Sequence, residues 1–152
     1  MIGVGDRAPD FTLPDHTGAE VSLAALTAAG DFILYFYPAD FTPVCTAEAC
    51  AFRDNFDGLA EVGLAIVGIS PQSVDSHRRF VERYELPFPL LADAGGKVIR
   101  AYGVSGPLGF GVRRATFLIG ADGIVKSRVV ADFLVRSHLN LIRQTIDARR
   151  GG

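Results

Sequence analysis

With 152 residues, 49% of them hydrophobic and 21% charged, the chain has the apolar material for one domain, residues 1–152, that buries roughly 70% of its unfolded surface. A net charge of −2 gives no electrostatic support to a nucleic-acid partner, and the longest apolar run, Phe32 to Tyr37, is far short of the roughly 20 residues that a membrane helix needs. The opening residues, Met1-Ile2-Gly3-Val4-Gly5-Asp6-Arg7, lack the basic-then-apolar layout of a secretory signal, so a reducing cytoplasm is expected, where a cysteine pair is more often redox-active or metal-bound than structural.

After an extended N-terminal arm, Ser22 to Ala29 reads as a short helix. Phe32-Ile33-Leu34-Tyr35-Phe36-Tyr37 is a continuous apolar run, the pattern of a strand buried on both faces. Pro43 to about Leu59 reads as a helix with Thr42 as N-cap and Pro43 at the first helical position. Leu64 to Ile69 is a second buried strand, and Val74 to Tyr84 an amphipathic helix that must end before Pro87. A shorter helix is expected from Gly96 to Tyr102. Ala115–Ile119 and Ile124–Val130 flank Gly120-Ala121-Asp122-Gly123 as a β-hairpin, and a final helix places Val135, Leu139, Ile142 and Ile146 on one stripe. This order predicts an α/β fold of the thioredoxin-like kind: a mixed central sheet flanked by helices, with an N-terminal extension.

The chain has two cysteines, Cys45 and Cys50, both in the helix that starts at Pro43. With Thr42 as N-cap, Cys45 falls at about the third helical position, where backbone N–H groups lack partners and the helix dipole favours an anion. An ordinary thiol is only ~3% ionised at pH 7, and full ionisation gains about 30-fold in thiolate. Nucleophilicity falls with basicity and returns roughly tenfold of that, so only a few-fold gain remains. Fast chemistry therefore needs donors aimed at charge developing on the substrate, and the Thr42 hydroxyl and an arginine are candidates. Arg113-Arg114 opens a strand, where the two side chains point to opposite faces, so one of them can reach a given site and the pattern leaves open which. Pro38, at the end of the first buried strand, is placed to shield a thiolate from water. On an ideal helix, cysteines five positions apart lie roughly 8.6 Å apart at Cα, beyond the ~7 Å limit for a disulfide. If Cys45 and Cys50 bond to each other, their helix must first unwind.

Pro38-x-x-x-Thr42-x-x-Cys45 followed by Glu48 resembles the active-site motif of the peroxiredoxins, and Phe41 to Asp54 is similar to the Q-type branch, the bacterioferritin comigratory proteins. Gly68-Ile69-Ser70-Pro71, Leu86 to Asp93 and Arg114 to Ile119 continue the likeness over almost the whole chain. The resemblance implies that Cys45 is the peroxidatic cysteine, Arg114 the guanidinium that contacts it, and Thr42 and Pro38 the polarising and shielding residues. It implies that Cys50 is the resolving cysteine, that peroxides are the substrates, and that thioredoxin or a similar dithiol protein is the reductant. No cofactor and no metal are expected, and a monomer is expected rather than a dimer. The Gly-rich stretch from Ser105 to Gly111 departs from the family pattern.

Cys-x-x-Cys oxidoreductase chemistry does not fit four residues between the cysteines, and a copper carrier does not fit a chain whose one methionine is Met1. His16, His77 and His138 form no metal-ligand spacing and are expected on the surface. Glu48 is expected to pair with Arg53 or with the first turn of its own helix, and Arg113 to be solvated or ion-paired.

Overall fold

The structure, a computed structural model, describes residues 1–109 and 111–151; Phe110 of the Gly-rich stretch lies outside the described residues. The arm is more ordered than its sequence suggests. β1 (Thr12–Pro14) and β2 (Glu20–Ser22) pair antiparallel, closed by Asp15, whose Oδ1 accepts from Thr17 N at 2.8 Å, Thr17 Oγ1 at 2.6 Å and Ala19 N at 3.2 Å. A single aspartate thus supplies the turn, a local hydrogen-bond device that hydrophobic periodicity does not register. α1 (Leu23–Ala29) follows, with Ser22 Oγ accepting from Ala25 N at 3.1 Å as a side-chain N-cap.

β3 (Phe32–Phe36) is buried at every residue. Next come α2 (Pro43–Asp54) and α3 (Phe56–Glu61), in place of the one helix expected to run to Leu59. The break falls at Asn55, whose Nδ2 donates to Ala51 O at 2.8 Å; bonding back to the preceding turn is how a short amide competes with helix continuation. β4 (Ala65–Ser70) and α4 (Val74–Tyr84) sit within a residue of expectation. β5 (Leu90–Ala92) is an unpredicted strand, too short to carry a pattern of its own. α5 (Lys97–Ala101), β6 (Ala115–Ile119), β7 (Val125–Val130) and α6 (Val135–Arg150) complete the chain. Among the described residues no helix is long and apolar enough to cross a membrane.

The five-stranded sheet has the order β5-β4-β3-β6-β7; β3 and β5 run parallel to β4, and β6 runs antiparallel to β3 and β7. Strand alternation divides the apolar residues between two cores. Phe32, Leu34 and Phe36 face one with Val98, Ile99 and Tyr102. Ile33, Tyr35 and Tyr37 face the other, with Cys45 and Phe52 of α2, Phe80 of α4 and Ile142 of α6. Gly68 makes that second core possible, because a Cβ there would stand 2.8 Å from both Tyr35 and Leu90. The β3–β6 register pairs Phe36 with Ala115, so Arg114, one step beyond, lies beside the C-terminal end of β3, where α2 begins.

Candidate active site

Between β3 and α2 the chain turns through Pro38-Ala39-Asp40-Phe41-Thr42. Thr42 is the N-cap residue by backbone, with φ −76° and ψ 150°, and Thr46 N closes the first helical bond onto Thr42 O at 2.9 Å. Its side chain does not cap: Oγ1 donates instead to Ala39 O at 2.9 Å. Pro43 fits the first helical position because it has no N–H to leave unpaired there, while the Val44 and Cys45 N–H groups receive no cap from Thr42. The Thr42 hydroxyl therefore presents lone pairs outward, and the donor role expected of it requires giving up the bond to Ala39. Phe41 adopts φ 65°, a left-handed conformation costly for a bulky residue. Its ring packs 5.1 Å from Phe80 and 6.3 Å from Tyr84, and the residue before it is held firmly.

That residue is Asp40, buried at the centre of a polar cluster. It accepts from Tyr37 Oη at 2.6 Å and Ser76 Oγ at 2.7 Å, its own N–H reaches Gln72 Oε1 at 2.7 Å, and His77 Nδ1 lies 2.7 Å from Oδ2. His77 Nε2 lies 3.0 Å from Leu91 O. His77 is thus fully buried, and so is His138, against the expectation of surface residues. The reason is the same for both: each ring nitrogen has a partner, which removes the cost of burying an imidazole. For His138 the partners are Thr116 Oγ1 at 2.7 Å and Ala131 O at 2.8 Å.

Cys45 is 2% exposed, at the inner face of the first turn of α2. Arg114 Nη2 donates to its Sγ at 3.2 Å, while Nη1 donates to Glu48 Oε1 at 2.8 Å and Nε to Asp132 O at 3.0 Å. Arg113 turns the other way, its Nε within 3.0 Å of both Asp132 carboxylate oxygens. The same carboxylate accepts from Arg114 N at 3.1 Å, so Asp132 ties the two arginines together. The Arg113 hydrogen bond, with Arg114 assisting, holds the Asp132 carboxyl below its usual range. Burial opposes the Arg114 charge, but Glu48 and Cys45 outweigh it and hold the guanidinium protonated.

Glu48 is fully buried. Burial pushes its carboxyl up to about 7 although Arg114 pulls it down, and burial pushes the His138 imidazole down. The expected Glu48–Arg53 pairing does not form; Arg53 bonds Asp54 at 3.1 Å and Tyr84 O at 2.7 Å. Glu48 is three residues from Cys45 on a stripe that includes Ala49 and Phe52, so helical spacing carries the signal that it faces inward with the thiol. Asp132 and His77 reach the site from segments distant in sequence, and no local spacing signals them; Asp40 lies in the loop before Cys45, but the partners that bury it, His77, Ser76 and Gln72, come from far along the chain.

Pro38, Thr42, Val44, Val112, Arg114 and Phe133 line a cleft of about 650 Å³, and Arg114 joins its wall to the Cys45 thiol beneath. Cys50 lies half-buried farther along α2, and both cysteines are free. The structure therefore brings Cys45, Thr42, Pro38 and Arg114 to one place, and holds Cys50 on the same unbroken helix.

A buried thiol in the first turn of a helix, gripped by an arginine just before a central strand of a thioredoxin-like sheet, is a peroxiredoxin arrangement. Residues 4–128 match the model of the AhpC/TSA family. The putative peroxiredoxin bcp of Coxiella burnetii is 44% identical over 132 residues, covering 83% of this chain and 87% of that protein. The chloroplastic peroxiredoxin Q of Arabidopsis thaliana is 40% identical over 141 residues, which cover 91% of this chain and 64% of that longer protein. Among solved structures, the peroxidoxin BcpB of Mycobacterium tuberculosis superposes with a TM-score of 0.90 at 40% identity, covering 97% of this chain and 98% of that one. The chain belongs to the AhpC/TSA family, with relatives in its peroxiredoxin Q and bacterioferritin comigratory protein branch.

Proposed function

We propose that the chain is a thiol-dependent peroxidase that reduces hydrogen peroxide and organic hydroperoxides, with Cys45 as the peroxidatic cysteine and Cys50 as its resolving partner. The observation that carries this reading is the buried Cys45 Sγ 3.2 Å from Arg114 Nη2. One fixed guanidinium serves both the thiolate and the charge that develops on oxygen as the O–O bond breaks, and it does so where water does not screen it.

The Cys45 thiolate attacks the terminal peroxide oxygen. An S–O bond forms, the O–O bond breaks, and the leaving alkoxide or hydroxide takes up a proton. Thr42, its own proton engaged with Ala39 O, offers a lone pair to the peroxide O–H and orients it. Pro38 and the apolar wall of Val44, Val112 and Phe133 exclude water and suit an alkyl chain. The Cys50 thiol then attacks the sulfenic sulfur and expels water, leaving a disulfide. Because α2 carries both cysteines, its first turns unwind in that step. A dithiol protein of the thioredoxin kind reduces the disulfide, and the reducing cytosol is where the pair cycles.

The test is peroxide consumption with a dithiol reductant. Cys45→Ser is expected to abolish it, whereas Cys50→Ser still forms a sulfenic acid that dimedone traps, with no intramolecular disulfide by mass. Peroxide consumption that survives Cys45→Ser contradicts the reading. Far-UV circular dichroism is expected to show helix loss on oxidation of the wild type, and an unchanged spectrum counts against the unwinding step.

A further inference from the structure

Two acids share one guanidinium in the buried site. Arg114 donates Nη1 to Glu48 Oε1 at 2.8 Å and Nη2 to Cys45 Sγ at 3.2 Å, with Glu48 fully buried and Cys45 2% exposed. A single positive charge cannot balance two negative ones, and in a dry site the unbalanced charge is costly. The site therefore favours holding one proton between the two acids.

The surroundings of Glu48 say where the proton goes. Oε2 is buried and has no hydrogen-bond partner among the described residues. On the α6 side it faces His138 Nδ1 at 3.8 Å. His138 Nε2 lies against Ala131 O, an acceptor, which assigns the ring proton to Nε2; Nδ1 is then a lone pair that receives the Thr116 hydroxyl. Oε2 thus meets a lone pair where an ionised carboxylate needs a donor. From β3, Tyr35 carries a buried hydroxyl, also without a partner, whose ionisation is suppressed by burial and then by Glu48. Asp132 contributes a further negative group through its hold on Arg114. Among the described residues Arg114 alone supports the Glu48 charge.

We infer that Glu48 is the proton store of the peroxidase cycle, protonated while Cys45 is a thiolate and ionised once Cys45 is oxidised. The inference rests on the peroxidase reading. The balance closes without a further reagent: Cys45-S⁻, Glu48-COOH and ROOH give Cys45-SOH, Glu48-COO⁻ and ROH. The sulfenic acid is neutral, so the Arg114 charge passes to Glu48, and the proton that Glu48 releases equals the one the leaving oxygen takes up. Condensation with the Cys50 thiol releases water, and reduction of the disulfide by a dithiol returns Cys45 as a thiol. Its proton then passes back to Glu48 as the thiolate recovers Arg114. Burial, which pushes the Glu48 carboxyl up to about 7, places the exchange within reach of neutral pH.

The exchange also serves the unwinding of α2. A thiolate bonded to Arg114 anchors the first turn. Once Glu48 matches the guanidinium, Cys45 leaves without stranding a buried cation.

The test counts protons slightly below neutral pH in weak buffer with a pH indicator, as Cys50→Ser protein is oxidised by hydrogen peroxide. Sulfenic acid is counted in parallel by dimedone labelling and mass. Little net proton uptake from solvent is expected in Cys50→Ser, and about one proton per sulfenic acid in Glu48→Gln/Cys50→Ser. Equal uptake in the two proteins, at any value, overturns the inference, while absence of sulfenic acid overturns the peroxidase reading instead. Infrared difference spectra of Cys50→Ser alone give a second readout. Oxidation is expected to remove a protonated-carboxyl C=O band, and its persistence overturns the inference even if the Glu48→Gln protein does not fold.

Discussion

Two buried polar clusters flank the loop between β3 and α2, and they are built on opposite terms. Around Asp40 the buried side-chain polar atoms are matched: Tyr37, Ser76 and His77 reach the carboxylate, Gln72 takes the Asp40 N–H, and Leu91 O takes the far side of the His77 ring. Around Arg114 the balance does not close, since two acids compete for one guanidinium and Glu48 Oε2 has no partner among the described residues. A satisfied network has one arrangement and holds it. An unsatisfied one has two charge states close in energy, which a reaction can exploit. The first cluster fixes Asp40 and with it the strained Phe41 and Thr42, so the second can change its charge while the loop stays put.

The largest expected effect comes from breaking the matched cluster. His77→Ala removes one of the three side chains that hold the buried Asp40 carboxylate and opens a cavity beside it, and is expected to cost about 3–5 kcal/mol of stability, lowering Tm by roughly 10 °C in a thermal melt. If Tm holds, the cluster is not the anchor described. On the other side, Arg114→Met is expected to slow Cys45 oxidation by about 10²–10³-fold in stopped flow, the usual cost of losing one donor aimed at developing charge.

A smaller effect separates the clusters by pH. Glu48 is raised from its ordinary value to about 7, so the folded state binds a proton that the unfolded state has lost. Its contribution is present below about pH 4.5 and is lost as pH rises to about 7, on the order of 3 kcal/mol, with little further change above that. Urea titrations across that window are expected to show this decline in the wild type and a flatter profile in Glu48→Gln. Smallest of all is Arg113→Met. Arg113 and Asp132 are each more than a third exposed, so screening leaves their pair within about 1 kcal/mol, and little change in peroxide rate is expected. The two adjacent arginines are thereby distinguished by kinetics.

Much of this arrangement is legible in the sequence where the signal is local. The apolar run of β3, the proline and threonine at the start of α2, and the position of Cys45 in its first turn follow from periodicity and capping preferences. What the spacing could not reach is set by tertiary contacts. Arg113 and Arg114 stand side by side, and only the β3–β6 register and Asp132 decide which one faces the thiol. Thr42 caps by position but not by side chain, because Ala39 O takes its proton. Asn55 breaks a helix through a bond to Ala51 O that no hydrophobic pattern contains. The buried histidines are hidden for the same reason, since the partners that make their burial tolerable come from distant segments. Glu48 is the instructive omission, for its spacing from Cys45 already placed an acid on the buried face.

The central claim is that Arg114 and its surroundings make Cys45 a peroxide-reactive thiol rather than a buried core cysteine. The most direct measurement is the second-order rate of Cys45 oxidation by hydrogen peroxide and by an alkyl hydroperoxide, followed by stopped flow in reduced Cys50→Ser protein. The account predicts rates orders of magnitude above a free thiol at the same pH, and a collapse toward that value in Arg114→Met. A rate near that of a free thiol with Arg114 intact would contradict it.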